Sequence, residues 1–180
     1  MNQVNPGNII LKSRAGTYPS TMQGYVDEVK ESDLKTAFKN QMPAAGIFFE
    51  SISEELSERK YAEGKWTIKE VLQHIIDAER VFAYRALCFA RKEEHPLPSF
   101  DENKYAVNSN ANDRDWGGLV AEFSIVRKST EYLFNSFSKE ATEIIGRASD
   151  YTIGVSTLGF VIVGHVNHHI RIIQERYIGV

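Results

Sequence analysis

The chain has a single cysteine, Cys88, in 180 residues, so it can form neither an internal disulfide nor a cysteine-rich zinc ribbon. It also lacks an excess of positive charge. Its 21 lysines and arginines against 24 aspartates and glutamates give a formal net charge of -3. That balance supplies no electrostatic reason to bind nucleic acid or an anionic membrane. No stretch approaches the roughly 18 consecutive apolar residues of a membrane span. The opening Met1-Asn2-Gln3-Val4-Asn5-Pro6-Gly7 has neither a basic start nor an apolar run of signal-peptide length. These absences set the expectation of a soluble protein in a reduced, cytoplasmic setting, with a small molecule rather than nucleic acid or membrane as partner.

The residues present are those of an ordinary globular domain, 42% hydrophobic and 25% charged. Residues 1–31 carry Pro6, Gly7, Gly16, Pro19 and Gly24 without a sustained period and read as an irregular N-terminal arm. Residues 32–180 then form one domain. Its first helix is expected to start near Ser32-Asp33, with Leu34, Phe38, Gln41, Ala45, Phe48, Ile52 and Leu56 as its apolar stripe. Pro43 interrupts that stripe and predicts a kink, or a start nearer Pro43. A capping box, Thr67-Ile68-Lys69-Glu70, opens a second helix running to about Arg91. A third covers about Trp116 to Phe137, and a fourth Ser156 to about Tyr177. Four amphipathic helices without a convincing hairpin predict an all-α four-helix bundle. The long connection 92–115 allows a crossover, with helices two and three running parallel. The connection 138–155, with Gly146 and Gly154, has room for a short helical turn.

Chemistry concentrates on the fourth helix. In Gly164-His165-Val166-Asn167-His168-His169, His165 and His169 are four residues apart and lie on one face. Leu158, Ile162, His165, His169 and Ile172 step by four, three, four and three, which puts both imidazoles at core positions. His168 projects from another face and reads as a surface residue. Helical H-x-x-x-H is the spacing with which one helix offers two nitrogens to a metal. Two imidazoles seldom hold a catalytic metal alone. The candidate third ligand is His74, which follows Val71 and precedes Ala78 and Arg85 at helical spacings on helix two. The alternative is a set of core histidines satisfied by carboxylates or serines, with no metal. Glu70 or Asp77 could accept the His74 imidazole proton. Arg127 sits on the helix-three stripe and wants a carboxylate from Glu79 or Asp77. It reads either as a structural ion pair or as a substrate-anchoring cation. His95, beside Pro96, reads as solvated, and Cys88 as a small core residue.

At these residues a resemblance becomes visible. The run from Gly64-Lys65-Trp66-Thr67 through Gln73-His74-Ile75-Ile76-Asp77-Ala78-Glu79-Arg80 resembles the helix-two signature of the DinB-like (DinB/YfiT) superfamily. So do Val81 to Leu87 and the loop segment Pro98-Ser99-Phe100-Asp101-Glu102-Asn103. The end, from Gly164-His165 to Glu175-Arg176-Tyr177, is similar to the family's last helix, and the resemblance spans about residues 25–178. It implies a four-helix bundle with a crossover, a divalent metal on His74, His165 and His169, and frequently a homodimer. His168 lies outside the family pattern. Family members include thiol S-transferases and thiol-dependent isomerases using low-molecular-weight thiols, and others named as metal-dependent hydrolases.

The expected function is therefore that of a metal-dependent enzyme. A three-histidine site with open positions activates a water or a low-molecular-weight thiol for hydrolysis or thiol S-transfer. Zinc or nickel is foremost for such a site, with iron or copper also compatible. Asp77, Asp101 and Arg127 are candidate catalytic side chains, and the 92–115 connection with Asp101 is a candidate lid or wall. The other reading is a non-catalytic, metal-stabilised bundle with a binding or sensing role.

Overall fold

Side chains that satisfy orphan amides set where the long helices begin. In the computed structural model, which describes residues 9–12 and 18–179, Asp33 accepts the Thr36 amide at 2.9 Å and opens helix α2, Leu34–Glu50. It is preceded by a 3-10 turn, Ser20–Met22, and by α1, Gln23–Asp27. The expected arm is thus partly helical, and residues 1–8 and 13–17 lie outside the described residues. After α3, Glu54–Ser57, the Thr67/Glu70 capping box is formed and opens α4, Ile68–Ala90. The crossover contains α5, Glu102–Val107, and a 3-10 turn, Ala111–Asp113. Asp115 then caps α6, Trp116–Asn135, by accepting the Gly118 amide at 2.7 Å.

Helix α2 runs unbroken through Pro43, against the expectation of a kink or a later start. Pro43 and Lys39 both face solvent, so water can satisfy the Lys39 carbonyl that proline leaves without a donor. The buried set of α2 is Leu34, Ala37, Phe38, Gln41, Ala45 and Phe49, one residue off the expected stripe at its end, because Phe48 is only half-buried.

The connection after α6 holds more structure than expected. A short helix α7, Lys139–Thr142, leads into an antiparallel hairpin of β1, Ile145–Ala148, and β2, Tyr151–Gly154. The sequence suggested no hairpin, and this is a correction. Its strands have four residues each and are held by distant partners. Leu97 donates to the Arg147 carbonyl at 3.0 Å and accepts the Ser149 amide at 2.7 Å. A Cβ at Gly146 would fall 2.1 Å from the Phe89 ring, so glycine here allows the strand to lie on that ring. Helix α8, Val155–Ile172, follows directly and passes into a π-helical segment, Ile173–Ile178.

Contacts give the helix directions. Gln73 meets Arg114 and Glu79 meets Arg127, so α4 and α6 run parallel across the crossover. Phe38 meets Phe134 and Phe49 meets Trp116, so α2 and α6 are antiparallel. Phe82 meets His165 and the Trp66 carbonyl meets Tyr177, so α4 and α8 are antiparallel as well. Two hydrophobic clusters fill the bundle, one around Phe82, Phe89, Phe134 and Phe160, the other around Phe49, Ile75, Trp116 and Phe123. Between them every long helix contributes a polar residue: Gln41, Glu79, Arg127 and His165. No helix among the described residues is long and apolar enough to cross a membrane.

Candidate metal centre

His165 occupies its core position because α8 is buried continuously from Val155 to Val166. Glycine at the preceding position brings a cover onto it. A Cβ at Gly164 would fall 1.7 Å from the Tyr25 carbonyl oxygen, so only glycine allows α1 to lie against α8. The Tyr25 ring then meets His165 edge-on, with centroids 5.2 Å apart. His169 follows one turn later, and His74 reaches across from α4.

The three imidazoles converge through the same atom. His74 Nε2 and His169 Nε2 each lie 3.0 Å from His165 Nε2, and the ring centroids are 4.5–5.0 Å apart. One nitrogen of a neutral imidazole has either one hydrogen or one lone pair. His165 Nε2 therefore cannot make a full hydrogen bond to both neighbours, and the cluster is incompletely satisfied by itself. A cation answers this directly, because tetrahedral ligation at about 2.0–2.1 Å needs nitrogens roughly 3.3–3.4 Å apart, close to the two separations that His165 makes. Among the described residues this is the one group of three or more histidine, cysteine or carboxylate side chains able to hold an ion, its ligand atoms all within 4.8 Å of one another.

Electrostatics favour the ligand-competent form. Burial pushes His74 down to about 4. Burial, with the neighbouring imidazoles, holds His165 and His169 well below the usual histidine range. All three are neutral at pH 7, with lone pairs available.

Two clefts reach the cluster, each touching different imidazoles. One, of about 340 Å³, touches His74 and His165 and is walled by Tyr25, Phe82, Phe100 and Tyr151. The other, of about 490 Å³, touches His169 and is walled by Trp66, His168, Arg176 and Tyr177. No carboxylate or thiol joins the three nitrogens as a fourth ligand among the described residues.

The remaining candidates fall elsewhere. Glu70 closes the capping box and Asp77 accepts from Gln73 at 2.9 Å, so neither carboxylate is shown orienting His74. Burial, ahead of its polar neighbours, raises the Asp77 pKa. Asp101 is exposed and caps α5 by accepting the Asn103 and Lys104 amides at 3.0 and 3.1 Å; its neighbours Phe100 and Glu102 line the first cleft instead. Arg127 is fully buried and forks onto Glu79, with Nε to Oε1 at 3.0 Å and Nη2 to Oε2 at 2.9 Å. Its Nη1 also donates to Gln41. His168 is half-buried rather than on the surface, its ring on Tyr25 and its Nδ1 3.3 Å from Arg171. His95 is exposed and bonds Glu93. Cys88 is a half-buried free thiol packed against the first hydrophobic cluster.

Several lining residues escaped the sequence reading. Trp66 packs on His74 with centroids 5.0 Å apart, and its place just before the capping box was the available signal. Tyr25 and Tyr151 gave none, because they reach the site through α1 and the hairpin.

Comparison with known proteins identifies the family and the fold. The model of a family described as the DinB superfamily matches residues 23–173. A protein of Oceanobacillus iheyensis named "Putative metal-dependent hydrolase" is 33% identical over 63 residues. That match covers 34% of this chain and 36% of the relative, so the chain spans about a third of the relative's length. The structure of YfiT from Bacillus subtilis, described as a probable metal-dependent hydrolase with an unusual four-helix bundle topology, superposes with a TM-score of 0.64. It shares 18% identity over 89% of this chain and 87% of that one, a likeness that establishes the fold.

Proposed function

The chain belongs to the DinB superfamily, and we propose that it is a divalent-metal-dependent enzyme in which His74, His165 and His169 hold the ion. The nucleophile in this reading is a water or a low-molecular-weight thiol, and the reaction is hydrolysis or thiol S-transfer on a small molecule. The observation that carries it is the meeting of three neutral Nε2 atoms, those of His74 and His169 each 3.0 Å from that of His165, where no hydrogen-bond pattern satisfies them all. A bound divalent ion supplies Lewis acidity, lowering the pKa of a water or thiol and polarising an electrophile.

The protein's own contribution is binding and exclusion. Tyr25, Phe82 and Phe100 present apolar surface beside His74 and His165, which limits water around a reacting group. The second cleft gives access beside His169, so two reactants can reach the cluster through separate clefts. The all-imidazole set is compatible with zinc, nickel, iron or copper, and this reading puts zinc or nickel first. A cytoplasmic setting and a homodimer belong to the same reading.

Elemental analysis of the purified protein, with anomalous diffraction at the metal edge, tests the site. About one ion per chain, about 2.0–2.3 Å from three Nε2 atoms, is the expected result. An ion bound elsewhere, or none after supplementation, overturns it. Turnover is tested by a screen pairing small thiols with electrophiles and by ester and amide hydrolysis. Tight metal binding without turnover across that panel replaces the enzyme with a metal-stabilised binding module.

A further inference from the structure

Three cations among the described residues are buried: Lys69, Arg85 and Arg127. Lys69 is paired with Glu54 and Glu58, and Arg127 with Glu79. Arg85, 3% exposed, has no carboxylate at ion-pair distance among the described residues. Its Nη1 donates to the Tyr151 hydroxyl at 2.7 Å and its Nη2 to the Pro98 carbonyl at 2.9 Å. The Phe100 and Tyr151 rings lie 5.6 and 5.9 Å from its central carbon. All three partner residues are uncharged. A guanidinium has five N–H donors, and these two bonds leave three of them. Burying such a charge without a counter-ion costs several kcal/mol.

Arg85 borders two clefts, one of about 290 Å³ beside Leu97, Pro98 and Tyr105, and one that it shares with the histidines. His74, Ala78 and Arg85 share one face of α4 and all line the cleft of about 340 Å³. Eleven residues of helix separate His74 from Arg85, about 16 Å of axis, and the arginine stem leans back toward the helix N-terminus, which shortens the gap. Among the described residues Arg85 is the only lysine or arginine lining this cleft, and the acids that line it, Glu102 and Asp150, are exposed. One cation facing acids at the rim suits a singly charged planar anion better than a phosphate dianion.

We propose that Arg85 is the anion-binding end of this cleft, and that the substrate carries a carboxylate which its guanidinium takes while the reactive centre lies beside His74 and His165. The second half of this statement rests on the metal-enzyme reading above, and the first half does not. The Tyr151 hydroxyl and the Pro98 carbonyl fix the fork in place, and the aromatic rings shield the charge pair from water.

The full chain, metal-free and zinc-loaded, is titrated with benzoate, with uncharged benzamide and with inorganic phosphate, following the Arg85 Nε–H signal by NMR. Benzoate is expected to shift that signal saturably in both forms, benzamide to leave it in place, and phosphate to bind more weakly. Arg85→Lys keeps the charge without the fork and should weaken benzoate about 10- to 100-fold, as should Arg85→Gln. Thermal unfolding checks that each variant is folded; if neither is, the wild-type titration decides alone. A signal that benzoate does not move, or undiminished binding to Arg85→Gln, overturns the anion site. Phosphate binding more tightly than benzoate overturns the carboxylate. Benzoate bound at Arg85 in a protein that takes up no zinc supports the anion site and sinks the metal reading, so the two fail separately.

Discussion

One polar layer crosses the bundle between its two hydrophobic clusters, and its two ends are built differently. Toward α2 and α6, Arg127, Glu79 and Gln41 answer each other: the guanidinium forks onto the carboxylate and donates to the amide oxygen. The Gln41 amide then donates to the Val163 carbonyl at 2.6 Å and to Asn167, whose own amide donates to the Glu28 carbonyl at 3.1 Å. Toward α4 and α8, three imidazoles turn the same atom toward one point, where the one Nε2 of His165 cannot answer both of its neighbours. A buried polar group with its partners supplied belongs to the fold, whereas one that lacks them is held ready by the fold for something else. The same distinction separates Arg127 from Arg85. The contrast also argues that Arg127 ties helices together and does not anchor substrate, since its charge is already neutralised and it lines neither cleft.

The largest expected effect lies at the unanswered end. His169→Ala should take metal content from about one ion per chain to near zero, because two imidazoles alone are a poor site. It should take any activity found in the screen to background while leaving the helical circular dichroism intact. At the answered end the effects exchange places. Glu79→Ala should cost about 3–5 kcal/mol of stability by leaving a buried guanidinium unpaired. Replacing both partners, Glu79→Met with Arg127→Met, should recover most of that loss. Urea unfolding of the single and double variants measures this. A Glu79→Ala protein as stable as the parent would mean that the layer is not divided as described.

Acid should separate the two ends next. In the metal-free protein the folded-state pKa of His74 is lowered to about 4, and those of His165 and His169 lie well below the usual value. The unfolded chain takes up protons on these residues near pH 6.5, and the folded chain does not. A depressed folded pKa therefore contributes stability that is complete above about pH 6.5 and is lost as pH falls from there toward about 4. Bound metal adds RT ln(1 + [L]/Kd), about 2.7 kcal/mol at one hundred times Kd. That gain also fades with acid, since protons compete for the same lone pairs. Melting temperatures of wild type and His74→Ala between pH 7.5 and 5 check the sign. Wild type should fall more steeply, and a melting temperature that rises on acidification contradicts neutral imidazoles.

Which parts were legible from sequence follows from how local their causes are. Asp33 and the Thr67/Glu70 box cap helices through bonds spanning three residues, and both were readable. The histidine triad was readable because the offset of four on α8 and the inward face of α4 are properties of single helices. Gly146 and Gly164 were not. One lies on the Phe89 ring and the other under the Tyr25 carbonyl, and neither neighbour is near in sequence. The hairpin was missed for the same reason, since Leu97 and Phe89 hold it from elsewhere. Asp101 carried a readable signal, an aspartate just before Glu102-Asn103-Lys104, but pointed to a helix cap and not to a cleft wall. Arg85 showed its helical register with His74 from the start. Its want of a counter-ion emerges only when Tyr151 and Pro98 are brought to it.

The smallest expected effect gives the sharpest test of which atoms belong to the unanswered end. His168 and His169 are adjacent in sequence, and both are half-buried. Their ring centroids are 5.1 Å apart. Only His169 turns its Nε2 toward His165; His168 packs its edge on Tyr25 and sets its Nδ1 against Arg171. Burial, and then the Arg171 charge, lower its pKa, with Glu28 opposing. His168→Ala removes a ring contact worth at most about 0.5–1.5 kcal/mol and opens no ligand position. Metal content should stay at about one ion per chain, with stability lower by no more than about 1.5 kcal/mol. Loss of the ion in His168→Ala, comparable with its loss in His169→Ala, would place His168 among the ligands and move the boundary between the two ends of the layer.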